Sequence, residues 1–262
     1  MISVFQTYLV EPLANGLIFF YRLLGGNLGL AIIVFTLILR LLLNPLTKPY
    51  MDSMKKIKDL SGEVEKLKNK FKGDKIKFAQ AQADLYKQKG INPQAGCLPY
   101  IFQFVILIAF FNVFNNGFKG NVTESFNKML YPKIAFTQDQ TINTKFLYMD
   151  LAKPDVFRIP SIPFPIPGLF LVFSTLLQVA SMKLMSPQLS AEKKVAKKTP
   201  GESDDAMVAT QKSMTYMFPM MTLFFGMSFP SGLALYWTVF SLVQLLQQMP
   251  RGWYHSLPWK KN

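Results

Sequence analysis

Arg40, the residue best suited to polar chemistry, lies inside a long apolar segment. Placing a guanidinium in hydrocarbon costs roughly 2.5–3.5 kcal/mol on insertion scales, so an intramembrane arginine usually faces a cavity within a helix bundle. In the alternative reading, the side chain extends to the headgroups near Thr47, about 10 Å further along the helix. That distance is at the limit of an arginine's reach. Arg40 therefore favours a cavity that holds water or a visiting anionic or polar ligand.

Polar residues recur at helical spacing around Arg40 and in the other apolar segments. Thr36, Arg40 and Asn44 are four residues apart and share one face of a helix. The other segments contribute polar side chains at similar spacing, namely Gln103; Ser174, Gln178 and Ser181; and Trp237, Ser241, Gln244 and Gln248. For any single Ser or Gln, a hydrogen bond between helices, worth about 0.6 kcal/mol, is the simpler role. None of these segments contains Asp or Glu, so the stripes together predict a hydrated cavity around an arginine without an intramembrane acidic partner.

The elements that must position these residues are apolar segments long enough to cross a bilayer. The chain has 262 residues, half of them hydrophobic, and a formal net charge of +14. Its charges are segregated, because residues 91–118, 159–182 and 213–250 contain none. A transmembrane helix needs about 20 consecutive apolar residues. This pattern excludes a soluble nucleic-acid-binding protein and predicts an all-α polytopic membrane protein.

Five transmembrane helices are predicted, because the last charge-free window is too long for one. As a single helix it would measure about 57 Å, nearly twice the hydrocarbon thickness of ~30 Å. The sequence Phe-Pro-Ser-Gly at 229–232 interrupts it, since proline and glycine both disfavour a continuing helix. We assign the spans, in chain order, to 27–50, 94–118, 166–186, 213–229 and 230–250.

The distribution of lysine and arginine predicts the orientation of these spans. Basic residues collect in 51–93, in the loop 187–212 and in the tail 251–262. With five spans these three regions lie on one side, which the positive-inside rule makes cytoplasmic. The less basic loop 119–165 is then external. We expect the N-terminus outside and the C-terminus inside.

Two regions outside the spans show helical periodicity. Residues 1–26 place polar side chains near multiples of four (Thr7, Glu11, Asn15 and Arg22), which predicts an amphipathic helix in the membrane interface. Residues 51–93 carry two apolar stripes on either side of a Gly-Asp pair: Ile57, Leu60, Val64, Leu67 and Phe71, then Ile76, Ala79, Ala83 and Tyr86. Such stripes predict a cytoplasmic antiparallel helical hairpin.

Most enzyme classes are excluded by what the sequence lacks. It contains one cysteine, Cys97, and one histidine, His255, which excludes a disulfide framework and disfavours metal sites and a Ser-His-Asp triad. It also lacks a phosphate-binding loop motif and a dinucleotide-binding glycine motif. We therefore predict no catalytic residues, no metal site and no cofactor. Residues 1–10 lack the basic start and cleavage site of a signal peptide, so we do not expect this segment to be one.

Four motifs resemble the YidC/Oxa/Alb family of membrane protein insertases, in the same order and at the same spacing. They cover nearly the whole chain: 38–47 (ILRLLLNPLT), with Arg40; 90–99 (GINPQAGCLP), followed by Gln103; 146–155 (FLYMDLAKPD); and 229–237 (FPSGLALYW), closed by Gln247 and Gln248. The chain also resembles the minimal five-span form of the family, because we expect no large external domain before the first span and only a short tail.

The resemblance implies an insertase or chaperone that acts without covalent chemistry. Five spans would enclose a hydrophilic groove that is open to the cytoplasm and to lipid but closed outside. The polar external part of a nascent membrane segment would be drawn towards Arg40, while its apolar part leaves along spans two and four. By resemblance, Thr36 and Trp237 would contact substrate. The other implied groove residues are Gln178, Ser241, Tyr236 and Gln103.

The resemblance also implies partners and a location. The partners would be nascent membrane proteins and the lipid bilayer, together with the Sec translocon, the ribosome or targeting machinery through the hairpin, 52–90. The location would be a bacterial cytoplasmic (inner) membrane, and no nucleic-acid specificity is expected.

Two other functions remain open from the residues alone. A small anion or solute transporter could use Arg40 as its binding charge, although a transporter usually shows internal repeats, which we do not find. A structural or signalling membrane protein could instead use the hairpin to bind a cytosolic partner. That reading predicts a dispensable Arg40.

Overall fold

The structure, a computed structural model, describes residues 2–90, 98–137, 139–161, 163–185, 217 and 219–249. Most of this part of the chain is helical, which confirms the all-α prediction in part. The helices are α1 (Ile2–Phe5), α2 (Glu11–Leu23), α3 (Leu28–Asp59), α4 (Ser61–Lys70), α5 (Lys75–Gln88), α6 (Leu98–Gly117), α7 (Val122–Asn127), α8 (Leu169–Met185), α9 (219–226) and α10 (Ser231–Gln248). A π-helical segment, Gln6–Val10, joins α1 to α2.

Two small antiparallel hairpins, which the sequence did not predict, lie between α7 and α8. In the first, β1 (Lys145–Phe146) pairs with β2 (Met149–Asp150). In the second, β3 (Val156–Phe157) pairs with β4 (Ile166–Pro167). Strands of two residues are too short to show the alternating pattern by which strands are recognised in sequence.

Among the described helices, one segment is both long enough and apolar enough to cross a membrane. It is Leu28–Pro45 in α3, with a mean hydropathy of 2.1. Phe104–Gly117 and Leu169–Leu184 are apolar but shorter. Five spans therefore stay a prediction.

The N-terminal helix packs against the rest of the bundle along its apolar face. The buried side chains of α2 include Leu13, Ala14, Leu17, Ile18 and Tyr21, and the main partner of the helix is α3. A turn with two glycines at positive φ, Gly25 at 67° and Gly26 at 77°, then reverses the chain into α3. Glycine suits this turn because other residues rarely adopt such angles.

The structure differs from the predicted polar face of this helix in one detail, the burial of Asn15. Its side chain is 4% exposed. Nδ2 donates to the carbonyls of Glu11 (2.8 Å) and Met129 (3.0 Å), and Oδ1 accepts from the Tyr131 amide (2.8 Å). The helical period placed Asn15 with exposed residues, but a loop from later in the chain covers it and satisfies its amide.

The centre of the core is formed by α3, α6 and α10. Aromatic side chains fill it, with Phe110 of α6 stacked on Tyr236 of α10 at 4.3 Å between ring centroids. Phe114 also stacks on Phe110, at 5.8 Å between ring centroids. The broadest helix contact of α10 is with α8, and the next is with α3.

A short segment, residues 148–155, holds the first turns of α8 and α10 together, and we call it the clip. At α10, the amides of Ser231 and Gly232 donate to the carbonyls of Lys153 (2.7 Å) and Leu151 (3.0 Å). At α8, the amide of Leu171 donates to Oδ2 of the buried Asp155 (3.0 Å). The clip therefore satisfies backbone N–H groups that a helix start leaves without intrahelical partners.

The carboxylate of Asp155 is enclosed by its neighbours. The Tyr148 hydroxyl donates to Oδ1 of Asp155 at 2.7 Å. Burial, followed by this hydrogen bond, raises the pKa of Tyr148 above its usual range, so the hydroxyl stays protonated and continues to donate. Gly168 precedes α8, and a Cβ at that position would collide with the Asp155 carboxylate. The glycine allows a distant aspartate to occupy the place of a local helix cap.

The region predicted as a cytoplasmic hairpin contains α4 and α5, which pack on each other. Leu60 and Tyr86 are buried together, with Val64 against them. The sequence predicted one continuous first arm from Ile57 to Phe71, but α3 continues to Asp59 and the helix breaks at Leu60 before α4 begins. The break places Leu60 against Tyr86. The division of the chain into membrane and non-membrane segments stays a prediction.

Several predicted features lie outside the described residues. They are the cytoplasmic loop 187–212, the tail 251–262, the first residues of spans two and four, and the residues Cys97 and His255.

Candidate functional site

The guanidinium of Arg40 is held by two residues of α10. Its Nε donates to Oε1 of Gln247 at 3.1 Å, and its central carbon lies 4.3 Å from the centroid of the Phe240 ring. A cation over an aromatic face gains about 0.5–2 kcal/mol, and more as water is excluded. Arg40 itself is half-buried, so the charge is anchored within the protein while part of the side chain remains accessible.

Three residues of α10 share the face that meets Arg40. Tyr236, Phe240 and Gln247 are separated by four and seven residues, which places them on one side of a helix. Tyr236 is buried, and its ring stacks on that of Phe110. This face lies between α3 and α6.

A second group of polar residues meets between α8, α9 and the other side of α10. Oε1 of Gln178 on α8 accepts from Oγ1 of Thr222 on α9 at 3.1 Å. The Trp237 ring packs at Gly226 of α9, 3.4 Å from where a Cβ would stand. The Trp237 Nε1 and the Ser181 Oγ are buried without a hydrogen-bond partner among the described residues. Polar groups thus also line the contact of α10 with α8 and α9, which lies on a different face of α10 from the one that meets Arg40.

The structure therefore divides the predicted site residues between two faces of α10. Arg40 and Tyr236 belong to the first face, and Gln178 and Trp237 belong to the second. Consecutive residues such as Tyr236 and Trp237 point about 100° apart on a helix, so their side chains lie on different faces of α10.

Most of the predicted site residues are buried and do not form an open, water-lined surface in this structure. The buried ones are Thr36, Gln178, Tyr236, Trp237 and Ser241. Thr36 donates its hydroxyl to the Ile32 carbonyl of its own helix at 2.6 Å. The side chain of Gln103 lies outside the described part of the chain. Arg40 is the accessible member of the described set.

Sequence reasoning missed the two residues that contact the guanidinium. The predicted polar stripe of α10 ran through Trp237, Ser241, Gln244 and Gln248, because those residues are polar and correctly spaced. Gln247 lies eleven residues after Tyr236, a spacing that puts both residues on one face of a helix, beside the predicted stripe. That spacing could have indicated that Gln247 belongs with Tyr236, which was a predicted site residue. An aromatic partner such as Phe240 gives no polar signal in a sequence.

The described residues contain no group of three His, Cys, Asp or Glu side chains that could hold a metal ion. The guanidinium of Arg40 is suited to ionic pairing and hydrogen bonding. A guanidinium in a site of low dielectric binds carboxylates and phosphates more strongly than it does in water.

Comparison with known proteins decides the family. Residues 19–251 match the family model described as 60Kd inner membrane protein. The chain belongs to this family. The resemblance to YidC/Oxa/Alb insertases, which the four motifs indicated, is thereby confirmed.

Relatives in several bacteria carry the name membrane protein insertase YidC. The protein from Fusobacterium nucleatum is 34% identical over 223 residues, covering 85% of each chain. A Leptospira interrogans protein is 30% identical, covering 93% of this chain and 34% of its own length. One from Shewanella sp. (strain ANA-3) is 30% identical, covering 93% and 37%. The chain thus spans most of the first relative and about a third of the other two.

Family membership fixes the location and the general class of the protein. The family is one of bacterial inner membrane proteins, so this chain is a bacterial membrane protein. The family is non-enzymatic. The comparisons give no support to the transporter alternative.

Proposed function

We propose that this protein is a membrane protein insertase and chaperone that moves nascent membrane segments from the cytoplasm into the bilayer. The relatives named as insertases support this function. Arg40 supports it too, as a half-buried cation anchored inside an apolar bundle.

The proposed architecture has five spans that enclose a hydrophilic groove. In this arrangement α3, α6, α8, α9 and α10 cross the membrane, residues 1–26 lie in the interface, and α4 with α5 forms the cytoplasmic hairpin. The loop 119–165, which contains the clip, lies outside, and both the loop 187–212 and the tail 251–262 lie inside. The lysine distribution supports this orientation, with the N-terminus out and the C-terminus in.

In the proposed mechanism the accessible Arg40 is the first contact for a substrate. An acidic or polar external tail approaches from the cytoplasm and pairs transiently with the guanidinium, which lowers the cost of bringing the tail into a region of low dielectric. The buried polar residues between α8, α9 and α10 become the rest of the groove wall when these helices separate around the tail. Thr36, Gln178, Trp237, Ser241, Tyr236 and Gln103 are the proposed groove residues.

The apolar part of the substrate is proposed to leave towards lipid along α6 and α9. Exposed apolar side chains support this path, among them Phe104 on α6 and Met217, Met220, Phe224 and Phe225 on or beside α9. Methionine is flexible and polarisable, so such a surface can adapt to segments of different sequence.

The partners follow from this mechanism. Nascent membrane proteins and the bilayer are the primary ones. The basic hairpin, 52–90, is proposed to receive substrate or to contact the Sec translocon, the ribosome or targeting machinery.

The single observation that carries the proposal is the guanidinium of the half-buried Arg40, anchored by Gln247 and Phe240. The test is insertion of a single-span substrate with an acidic external tail into liposomes that contain wild type, Arg40→Lys or Arg40→Ala. Lys183→Ala is the matched control, because it removes an exposed cation near the end of α8.

We expect wild type and the control to insert the substrate, the lysine variant to retain part of this activity, and the alanine variant to lose most of it. Equal insertion by Arg40→Ala and wild type would exclude the role of the charge. Failure of wild type to exceed empty liposomes would exclude the insertase function.

A further inference from the structure

The contacts of Arg40 determine which edge of its guanidinium a substrate can reach. A guanidinium is a planar fork with five N–H donors, one on Nε and four on the two terminal nitrogens. Gln247 accepts from Nε, and Phe240 covers one face of the plane. A carboxylate can pair with the fork either side-on, through Nε and one terminal nitrogen, or end-on, through both terminal nitrogens. With Nε engaged by Gln247, the end-on edge is the one that can accept a bidentate carboxylate.

The chemical type of Gln247 matters as much as its position. A carboxylate at this position would form an ion pair with the guanidinium and neutralise it. An amide oxygen accepts the same hydrogen bond without carrying a charge. Gln247 therefore fixes the orientation of Arg40 and leaves its full positive charge for another partner.

We propose that Gln247 is a positioning residue that makes insertion selective for acidic substrate tails, by holding Arg40 end-on and uncompensated. This inference rests on the proposed insertase function. It assigns the ligand of the end-on edge to a carboxylate of the incoming tail. Gln247 acts through Arg40 and does not itself contact substrate.

The test compares two substrates that differ only in the charge of the external tail. One single-span substrate carries Asp and Glu in its tail, and the other carries Asn and Gln at the same positions. Each is inserted into liposomes that contain wild type, Gln247→Glu, Gln247→Met or a control variant. Methionine keeps the approximate shape of glutamine without a strong acceptor, and glutamate keeps the acceptor but adds a charge.

The control variant, Met249→Glu, adds the same negative charge at the same end of α10. Met249 is the C-cap residue of α10, two residues past Gln247, where the chain leaves the helix, so it does not continue the face that meets Arg40.

We expect Gln247→Glu to reduce insertion of the acidic-tail substrate by roughly tenfold, because the new carboxylate competes for the guanidinium. The neutral-tail substrate should insert at the wild-type rate. Gln247→Met should raise the substrate concentration needed for half-maximal insertion of the acidic tail, with little change in the maximal rate. Met249→Glu should leave the ratio between the two substrates unchanged.

Other outcomes would overturn the inference. Equal losses for both substrates in Gln247→Glu would show that Gln247 only maintains the fold, and no loss for either would show that it does not position Arg40. The neutral-tail substrate separates this failure from that of the proposed function. If wild type inserts neither substrate, the insertase function and this inference are both wrong.

Discussion

The two halves of the helix bundle differ sharply in how closely they are packed. In the half beside the clip, α10 is buried at every residue from 231 to 239, and α3 is buried along one face from 28 to 36. In the half that contains Arg40, no residue of α3 from 37 to 45 is buried, and none of α10 from 242 to 248. The closely packed half thus supports a less closely packed half at the other end of the bundle. Arg40 lies four residues past Thr36, the last of the described α3 side chains that is buried.

The clip explains why one half can close. Helix ends carry unpaired backbone groups that are costly to bury. At the starts of α8 and α10, carbonyls of the clip and the carboxylate of Asp155 accept from these groups. A carboxylate at a helix N-terminus is also stabilised by the helix dipole. The Arg40 half has no comparable arrangement among the described residues, and its charge is held by side chains alone.

Phe110→Ala should have the largest effect, because it removes a ring that stacks on both Tyr236 and Phe114 in the closely packed half. Replacing a buried phenylalanine with alanine typically costs about 3–5 kcal/mol through lost packing and the cavity left behind. The thermal unfolding midpoint of the purified protein in detergent should fall strongly. An unchanged midpoint would contradict the assignment of the core to this half.

Asp155→Ala should destabilise the closed half by about 3 kcal/mol, because it leaves the buried amide of Leu171 and the hydroxyl of Tyr148 without an acceptor. The same unfolding measurement tests it. Asp139→Ala is the control, since Asp139 is an exposed aspartate of the same loop. If the two variants unfold alike, the clip does not close the bundle.

Asn15→Ala should lower the free energy of unfolding by about 2 kcal/mol, since it removes the hydrogen bonds that join α2 to Met129 and Tyr131. Protease cleavage in the loop after α7 should become faster. Thr7→Ala removes an exposed polar side chain from the π-helical segment before α2 and should leave the cleavage rate unchanged. Equal cleavage rates in the two variants would mean that Asn15 does not fasten the loop.

Leu42→Ala should have the smallest effect and lower the free energy of unfolding by less than about 1 kcal/mol. It nevertheless removes a large apolar side chain, as a substitution in the core would. Leu42 is 68% exposed in the Arg40 half, so few packing contacts are lost. A shift of the unfolding midpoint as large as that of Phe110→Ala would remove the distinction between the halves.

The sequence predicts those parts of the fold that depend on local chemistry. The helix break before α10 was predicted because Pro230 and Gly232 act locally, and Arg40 was recognised because a charge in an apolar segment is conspicuous. The burial of Asn15 and the cap supplied by Asp155 were not predictable, since both depend on loops distant in the chain. Gln247 was missed for a related reason. A periodic pattern shows which residues share a face, but it does not show which helix that face meets.

Our central proposal is that the bundle is closed at the clip and open to the cytoplasm beside Arg40. The most direct measurement is labelling of single cysteines, in a Cys97→Ser background, with a membrane-impermeant maleimide added to either side of membrane vesicles. Ser231→Cys and Gln244→Cys place the thiol at the two ends of the same helix, α10.

We predict that position 244 is labelled from the cytoplasmic side only and that position 231 is labelled from neither side until the protein is unfolded. Rapid labelling of position 231 from outside, or protection of position 244 from the cytoplasm, would contradict the account.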